Sequence, residues 1–401
     1  MVTVAPTQGL RNVSRLAGAA LSLLLAAAPA PASDTPDLTC DQEPGIRFFW
    51  TEWGFCDLEP HGPDRARGIV IWNHGIRGTN EQYTAPPAVA LRLLHARGWD
   101  IVKINRHNLA ESARASVVRA TERTAAEIQT QRARGYRRVV LAGQSFGGYV
   151  SLEAAGASRD VYAVIALAPG VTGAVDNLDP ERMLQDVKAS RVAMVLPQGD
   201  ALFGNRVRGP AALRMLARRG DPFLLVDESA PAISGHAGAM GGRFALRYGL
   251  CLADFLSDAA PGRFLCPEGR DGEAARELLV RGRALGARPI GEGAALPPGF
   301  GPFAGLWYGL LEETVVVTGL VRDDGDMPRL LYRAVSGRTT SGLYPLHLED
   351  ARLRATLASG GGRGPSLLLS ASEPGVLELA WTSLDGQRTM RGRLAPLAPP
   401  E

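Results

Sequence analysis

The sequence predicts an α/β protein: a doubly wound, mostly parallel sheet with helices on both faces, followed by a smaller antiparallel β-barrel or sandwich. Three observations carry this expectation. Between residues 68 and 260, short apolar runs alternate with helical patterns through short connections, which is how a parallel sheet with helical crossovers reads. From residue 303 the helical patterns give way to short runs separated by turn residues such as Asp323-Asp324-Gly325 and Asp385-Gly386, the spacing of an antiparallel β domain. Residues 286–302 between the two regions are rich in Gly, Pro and Ala, as linkers are. A chain of 401 residues accommodates a domain of about 200 to 250 residues with a full core plus a smaller one. The expected divisions are a signal peptide over 1–32, the α/β domain over 33–266, a helix and linker over 267–302, and the β-rich domain over 303–401.

Arg11 and Arg15 precede an apolar stretch over residues 16–28 and a small-residue step, Ala30-Pro31-Ala32, the pattern of a cleavable secretory signal. The apolar stretch is too short for a comfortable membrane span, so a periplasmic or secreted location is expected, with no stable membrane anchor. Net charge is +3, and of 44 basic residues only Lys103 and Lys188 are lysines. The arginines are scattered, with no basic stripe interleaved with aromatics, so a nucleic-acid partner is not expected. The four cysteines allow three pairings; in an oxidising compartment the local pairs Cys40 with Cys56 and Cys251 with Cys266 are the first expectation. No Cys-x-x-Cys or paired-His spacing points to a metal, and no cofactor is expected.

Taken in order, residues 46–50 and 53–55 read as short edge strands. Residues 68–72 are a compact buried run leading into Asn73-His74-Gly75-Ile76. Residues 89–96 are amphipathic and helical until Gly98, and 100–104 form the next strand, after which Arg106 and His107 read as solvated loop residues. Residues 115–134 are helical and 136–142 form a strand. Next come a helix, a strand over 161–167, a helix over 180–188, strands over 192–196 and 222–226, a closing helix over 244–258 and another over 271–285. In the β-rich domain, strands are expected within 306–309, 314–320, 329–335, 351–357, 367–370, 376–381 and 389–394.

The centre of this arrangement is Gly143-Gln144-Ser145-Phe146-Gly147, a Gly-x-Ser-x-Gly step at a strand-to-helix turn. Such a turn is too tight for a Cβ at either glycine, and the helix start behind it aims N–H groups at the serine. With Gly148 and Tyr149 extending the motif, residues 46–260 resemble the α/β-hydrolase superfamily, most closely its dienelactone-hydrolase and prolyl-oligopeptidase-like branch. That resemblance implies a nucleophile, acid and base in the chain order Ser, Asp, His. It also implies an oxyanion hole from the N–H after the nucleophile and one from the loop after the 68–72 strand.

On this sequence the nucleophile is Ser145 and the oxyanion donors are Phe146 and Ile76, with the His74 side chain expected to be structural. Asp200, after Pro197-Gln198-Gly199, is the candidate acid. It directly follows its glycine, whereas the family's acid often lies three residues beyond one, and Asp176, Asp179 and Asp227 are the alternatives. His236 is the one histidine after Ser145 in the α/β region, leaving His347 as its distal competitor.

Such a set performs acyl transfer to water through an acyl-enzyme, on a small-molecule ester or a short peptide, with ester hydrolysis the first expectation. Alternatives are a serine peptidase of prolyl-oligopeptidase-like type, acyl transfer to another acceptor, and an exported non-catalytic protein that binds through its C-terminal β domain.

Overall fold

A computed structural model describes residues 60–77, 80–81, 87–104, 106, 113–171, 180–202, 205–230, 233–258, 260–266, 274–275, 296–312, 314–322, 328–334, 342–357 and 364–397. The expected signal peptide, the strands over 46–55, the Cys40–Cys56 pair, His107, Asp176, Asp179 and most of the helix over 271–285 lie outside the described residues.

The first half alternates strands and helices: β1 (Gly68–Asn73), the hairpin of β2 (Ile76–Arg77) and β3 (Asn80–Glu81), α1 (Ala90–Ala96), β4 (Trp99–Ile104), α2 (Ala113–Ala133), β5 (Val139–Gln144) and α3 (Phe146–Ala157). It continues with β6 (Val161–Leu167), α4 (Pro180–Asp186), β7 (Val192–Val195), α5 (Asn205–Arg219), β8 (Pro222–Val226), α6 (Gly242–Asp258) and β9 (Gly262–Arg263). Seven strands form one parallel sheet in the order β4-β1-β5-β6-β7-β8-β9. Alternation sends Val70 and Trp72 of β1 into the core shared with α1 and α6, and Ile69 and Ile71 into the core shared with α2, α3 and α5. A sheet buried on both faces explains why its strands read as continuous apolar runs. Helix α5 escaped the sequence reading because Gly209 and Pro210 interrupt its pattern.

At the amino end of β4 the buried Asp100 ties the incoming chain to the sheet. It accepts the His61 N–H at 2.6 Å, the Gly62 N–H at 2.9 Å and the Tyr136 hydroxyl at 2.7 Å. Burial and the adjacent carboxylate push the Tyr136 phenol above its ordinary range.

The second half is a nine-stranded antiparallel sheet: β10 (Leu306–Leu311), β11 (Thr314–Arg322), β12 (Pro328–Ala334), β13 (Gly342–Tyr344), β14 (Leu346–Glu349), β15 (Arg352–Thr356), β16 (Ser366–Glu373), β17 (Val376–Thr382) and β18 (Thr389–Leu397). Its order is β13-β12-β11-β10-β18-β17-β16-β15-β14. Strands β13 and β14 stand at opposite ends of that order yet are joined through Pro345 alone, and one residue spans only about 3.5 Å. The sheet therefore curls until its two edges meet, which decides for a barrel over a sandwich. Its interior is filled by Phe303, Trp307, Val316, Leu330, Tyr332, Leu367 and their neighbours, and Leu296 and Phe300 from the expected linker pack against it. On the outer face, Val317, Tyr308 and Leu310 pack into the core cluster that contains α6. Strands β13 and β14 were not anticipated; at three and four residues they are too short to show a period.

Among the described residues no helix is long and apolar enough to cross a membrane. Cys251 of α6 and Cys266 beyond β9 form a disulfide with Cα atoms 5.6 Å apart, the expected pairing. It closes a 15-residue separation, for which chain-entropy reasoning gives about 3 kcal/mol. Replacing both cysteines with serine should therefore lower the urea-unfolding free energy by about 2 to 3 kcal/mol, and reducing agent should have no further effect on that variant.

Candidate active site

Ser145 occupies the turn between β5 and α3 with φ 55° and ψ −124°, a backbone conformation that a non-glycine residue adopts only under constraint. The constraint is visible. The Ser145 N–H donates to the Leu167 carbonyl at 2.9 Å, and its own carbonyl accepts the N–H groups of Tyr149 at 3.0 Å and Gly170 at 3.1 Å. A Cβ on Gly143 would stand 2.3 Å from the Gly147 carbonyl, as the tight turn requires. At Gly147 the obstacle differs from the one expected: a Cβ would meet the Asn73 carbonyl oxygen at 2.0 Å, so the wall is the end of β1 and not the opposite limb of the turn.

Asp200 and His236 arrive on two loops at the carboxyl ends of β7 and β8. The loops are joined by a parallel bridge between Gln198 and Ser234 and by the Gly235 N–H donating to the Gln198 carbonyl at 2.7 Å. His236 Nδ1 lies 3.0 Å from Asp200 Oδ2, and the other carboxylate oxygen accepts the Leu202 N–H at 2.9 Å. The Asp200 side chain is fully buried and that of His236 is 21% exposed. An ionised carboxylate only accepts, so a neutral His236 must carry its proton on Nδ1, leaving the lone pair on Nε2. Gln144, beside the serine, donates to the His236 carbonyl at 3.2 Å. Asp227 instead accepts from Ser229 in an exposed turn, and His347 is exposed on β14 of the barrel, paired opposite Arg354.

The side of the site expected to hold the oxyanion donors is built by buried polar groups. Phe146 begins α3, and Ile76 begins β2 directly after the turn Asn73-His74-Gly75. His74 is buried, with Nδ1 2.9 Å from the Gly75 carbonyl and Nε2 accepting the Arg106 N–H at 3.1 Å. This fixes the proton on Nδ1. Burial first, and then Arg106, hold the His74 pKa well below its ordinary 6.5. Asn73 donates to Ser151 Oγ at 3.1 Å, and Ser151 donates to the Gly147 carbonyl at 2.8 Å. Thr124 Oγ1 of α2 lies 3.1 Å from Asn73 Oδ1. Arg106, expected in solvent, is 3% exposed and bonds this turn.

On the other side Arg208 of α5 donates to the Pro169 carbonyl at 2.7 Å; burial draws its pKa down to about 10, partly offset by the charge of Asp200. The sequence held traces of these groups: Asn73 continues the apolar run of β1, and Thr124 falls on the buried Ala120–Thr124–Ile128 stripe of α2.

His61, His95 and Asp100 bring ligand atoms within 4.8 Å of one another. Their geometry is that of a joint, not a metal centre. The two imidazoles stack with centroids 4.5 Å apart, His61 Nε2 is 3.0 Å from the His95 carbonyl, and both Asp100 oxygens already accept N–H or O–H groups.

The parallel sheet order, the strained Ser145 between β5 and α3, and the Asp200–His236 pair on later loops give the chain the α/β-hydrolase fold. The sequence matches no protein-family model and no curated protein. Solved structures with a similar architecture include a Xanthomonas campestris pv. campestris protein described within the α/β hydrolase superfamily. It is 21% identical, with 48% of this chain and 98% of that one covered and a TM-score of 0.34. Others are the Pyrococcus furiosus esterase Pf2001 (10%, 49% and 85%, 0.36) and the acetyl ester-xyloside bifunctional hydrolase of Caldicellulosiruptor lactoaceticus (14%, 45% and 78%, 0.35). All three cover about half of this chain, and at these scores they add nothing to what the strand order and the elbow already define.

Two outcomes are expected. Gly147→Ala should cost about 3 kcal/mol in urea unfolding through backbone overpacking and reduce any Ser145-dependent turnover at least about 100-fold. For His74, the unfolded chain takes up a proton below about 6.5 whereas the folded protein resists it to much lower pH. Stability should thus fall as pH drops below that value, by up to about 1.4 kcal/mol per unit. His74→Gln, which does not titrate, should remove that slope in unfolding midpoints measured between pH 5 and 7.

Proposed function

We propose that this protein is an exported serine hydrolase that cleaves carboxylic esters of small molecules through an acyl-enzyme. The observation that carries the reading is a strained, glycine-framed Ser145 at the head of α3, with the His236–Asp200 pair held at 3.0 Å on the adjoining loops. Ser145 Oγ attacks the ester carbonyl carbon as its proton passes to His236 Nε2, and Asp200 keeps the ring oriented and stabilises the imidazolium. The Phe146 and Ile76 N–H groups take the oxyanion. Strand β2, which begins at Ile76, pairs with β3 in the register Ile76 opposite Glu81 and Arg77 opposite Asn80. His236 then protonates the departing alcohol, and water, deprotonated by the same imidazole, releases the acid.

Esters are preferred to amides because the alkoxide leaves more readily and no described residue is placed to grip a peptide terminus. Export rests on the basic, apolar and small-residue order of residues 11–32, and the Cys251–Cys266 disulfide suits an oxidising compartment.

The test is fluorophosphonate labelling of the purified protein, followed by p-nitrophenyl ester turnover. Wild type should label on Ser145, Ser145→Ala should not label, and His236→Ala and Asp200→Asn should turn over ester about 10³- to 10⁴-fold more slowly. A folded wild type that stays unlabelled overturns the reading and directs attention to the barrel; labelling with cleavage of peptides but not esters makes it a peptidase.

A further inference from the structure

The turn that presents the Ile76 N–H is gripped from behind by a single buried arginine. Arg106 follows the carboxyl end of β4, the strand beside β1. Its backbone N–H donates to His74 Nε2 at 3.1 Å, Nη1 donates to Asn73 Oδ1 at 2.9 Å, and Nη2 donates to the His74 carbonyl. The guanidinium carbon also lies 5.3 Å from the centroid of the Phe146 ring. One side chain therefore touches both segments that supply the oxyanion donors, the 73–76 turn and the first residue of α3.

The opposite side of the turn is equally fixed, because the Asn73 and His74 carbonyls pack against Gly147 with no room for a methyl group. The turn is held between Gly147 on one side and the guanidinium on the other. A surface ion-pairing role is excluded by burial, and both terminal nitrogens of the fork donate to protein oxygens of the turn, beside the Phe146 ring. Two acceptors on consecutive residues match the rigid fork of a guanidinium; an ammonium, a point donor on a flexible stem, does not hold both in register.

We propose that Arg106 is a positioning residue for the oxyanion hole, setting the Ile76 N–H against the Phe146 N–H; this rests on the serine-hydrolase reading above. A donor displaced by about 1 Å from a developing oxyanion forfeits on the order of 100-fold in rate. The consequence lies in kcat, because Arg106 contacts no substrate and the donors matter most when the carbonyl oxygen becomes charged.

The experiment measures kcat and KM for p-nitrophenyl acetate in the full-length protein, per site counted by fluorophosphonate labelling taken to completion, together with melting temperature. The variants are Arg106→Gln and Arg106→Lys. Tyr136→Phe serves as a control that loses a buried hydrogen bond at the amino end of the sheet, away from Ser145. The expected result is a fall of about 30- to 100-fold in kcat per labelled site for both Arg106 variants, with KM within about threefold, while Tyr136→Phe melts earlier at unchanged kcat.

If Arg106→Gln does not fold, Arg106→Lys alone carries the test. Unchanged kcat per labelled site in a folded Arg106 variant overturns the assignment, as does full activity in Arg106→Lys, which would leave only the charge required. A wild type that neither labels nor turns over the ester overturns the serine-hydrolase reading itself, and this assignment with it.

Discussion

The whole site depends on one backbone contact, the approach of Gly147 to the carbonyl groups of Asn73 and His74. Helix α3 can begin where it does only because no side chain intervenes, and that start fixes the Phe146 N–H and the positive φ of Ser145. The same contact places the end of β1 against the elbow, so the turn leading to Ile76 has a fixed floor. Buried polar groups then complete what the glycine begins. Asn73 reaches Ser151, Ser151 reaches the Gly147 carbonyl, and Arg106 closes the far side. Each of these groups is buried with a partner, the condition under which polar atoms specify one geometry instead of destabilising the core.

Asp200 and His236 are placed by a different device. Their loops are tied together by backbone bonds between 198 and 233–235, and Ile233 anchors the second loop in the core. Because the Gln144 amide also reaches the His236 carbonyl, the loop carrying His236 is registered to the strand that leads into Ser145. Arg208, bonded to the Pro169 carbonyl and close enough to Asp200 to feel its charge, links the segment behind Ser145 to Asp200 in the same way.

The strands of the parallel sheet were legible because burial on both faces makes them continuous apolar runs, and β6 and β8 match their sequence-derived bounds residue for residue. The Gly-x-Ser-x-Gly step and the chain order of Asp200 and His236 were legible because tight turns and chain order are local or countable properties. Arg106 was not. A single arginine after a strand reads as solvated, since the acceptors that bury it lie 32 and 33 residues away, at His74 and Asn73. Closure of the barrel was likewise hidden, because it resides in the pairing order of strands as short as β13. Helix α5 was masked by Gly209 and Pro210, whose propensities the tertiary packing of Ala212, Met215 and Leu216 overrides.

Val317 sits on the outside of the barrel yet inside the core shared by α1 and α6, with Tyr308 and Leu310 packed beside it. The composition change near residue 300 therefore marks a boundary of architecture but not of cooperativity. The α/β sheet and the barrel belong to one compact unit, and separating them would lay bare an apolar scar on each. The barrel is thus bound to the sheet as a subunit is bound in an obligate complex, through apolar surface that neither part can leave in water without cost.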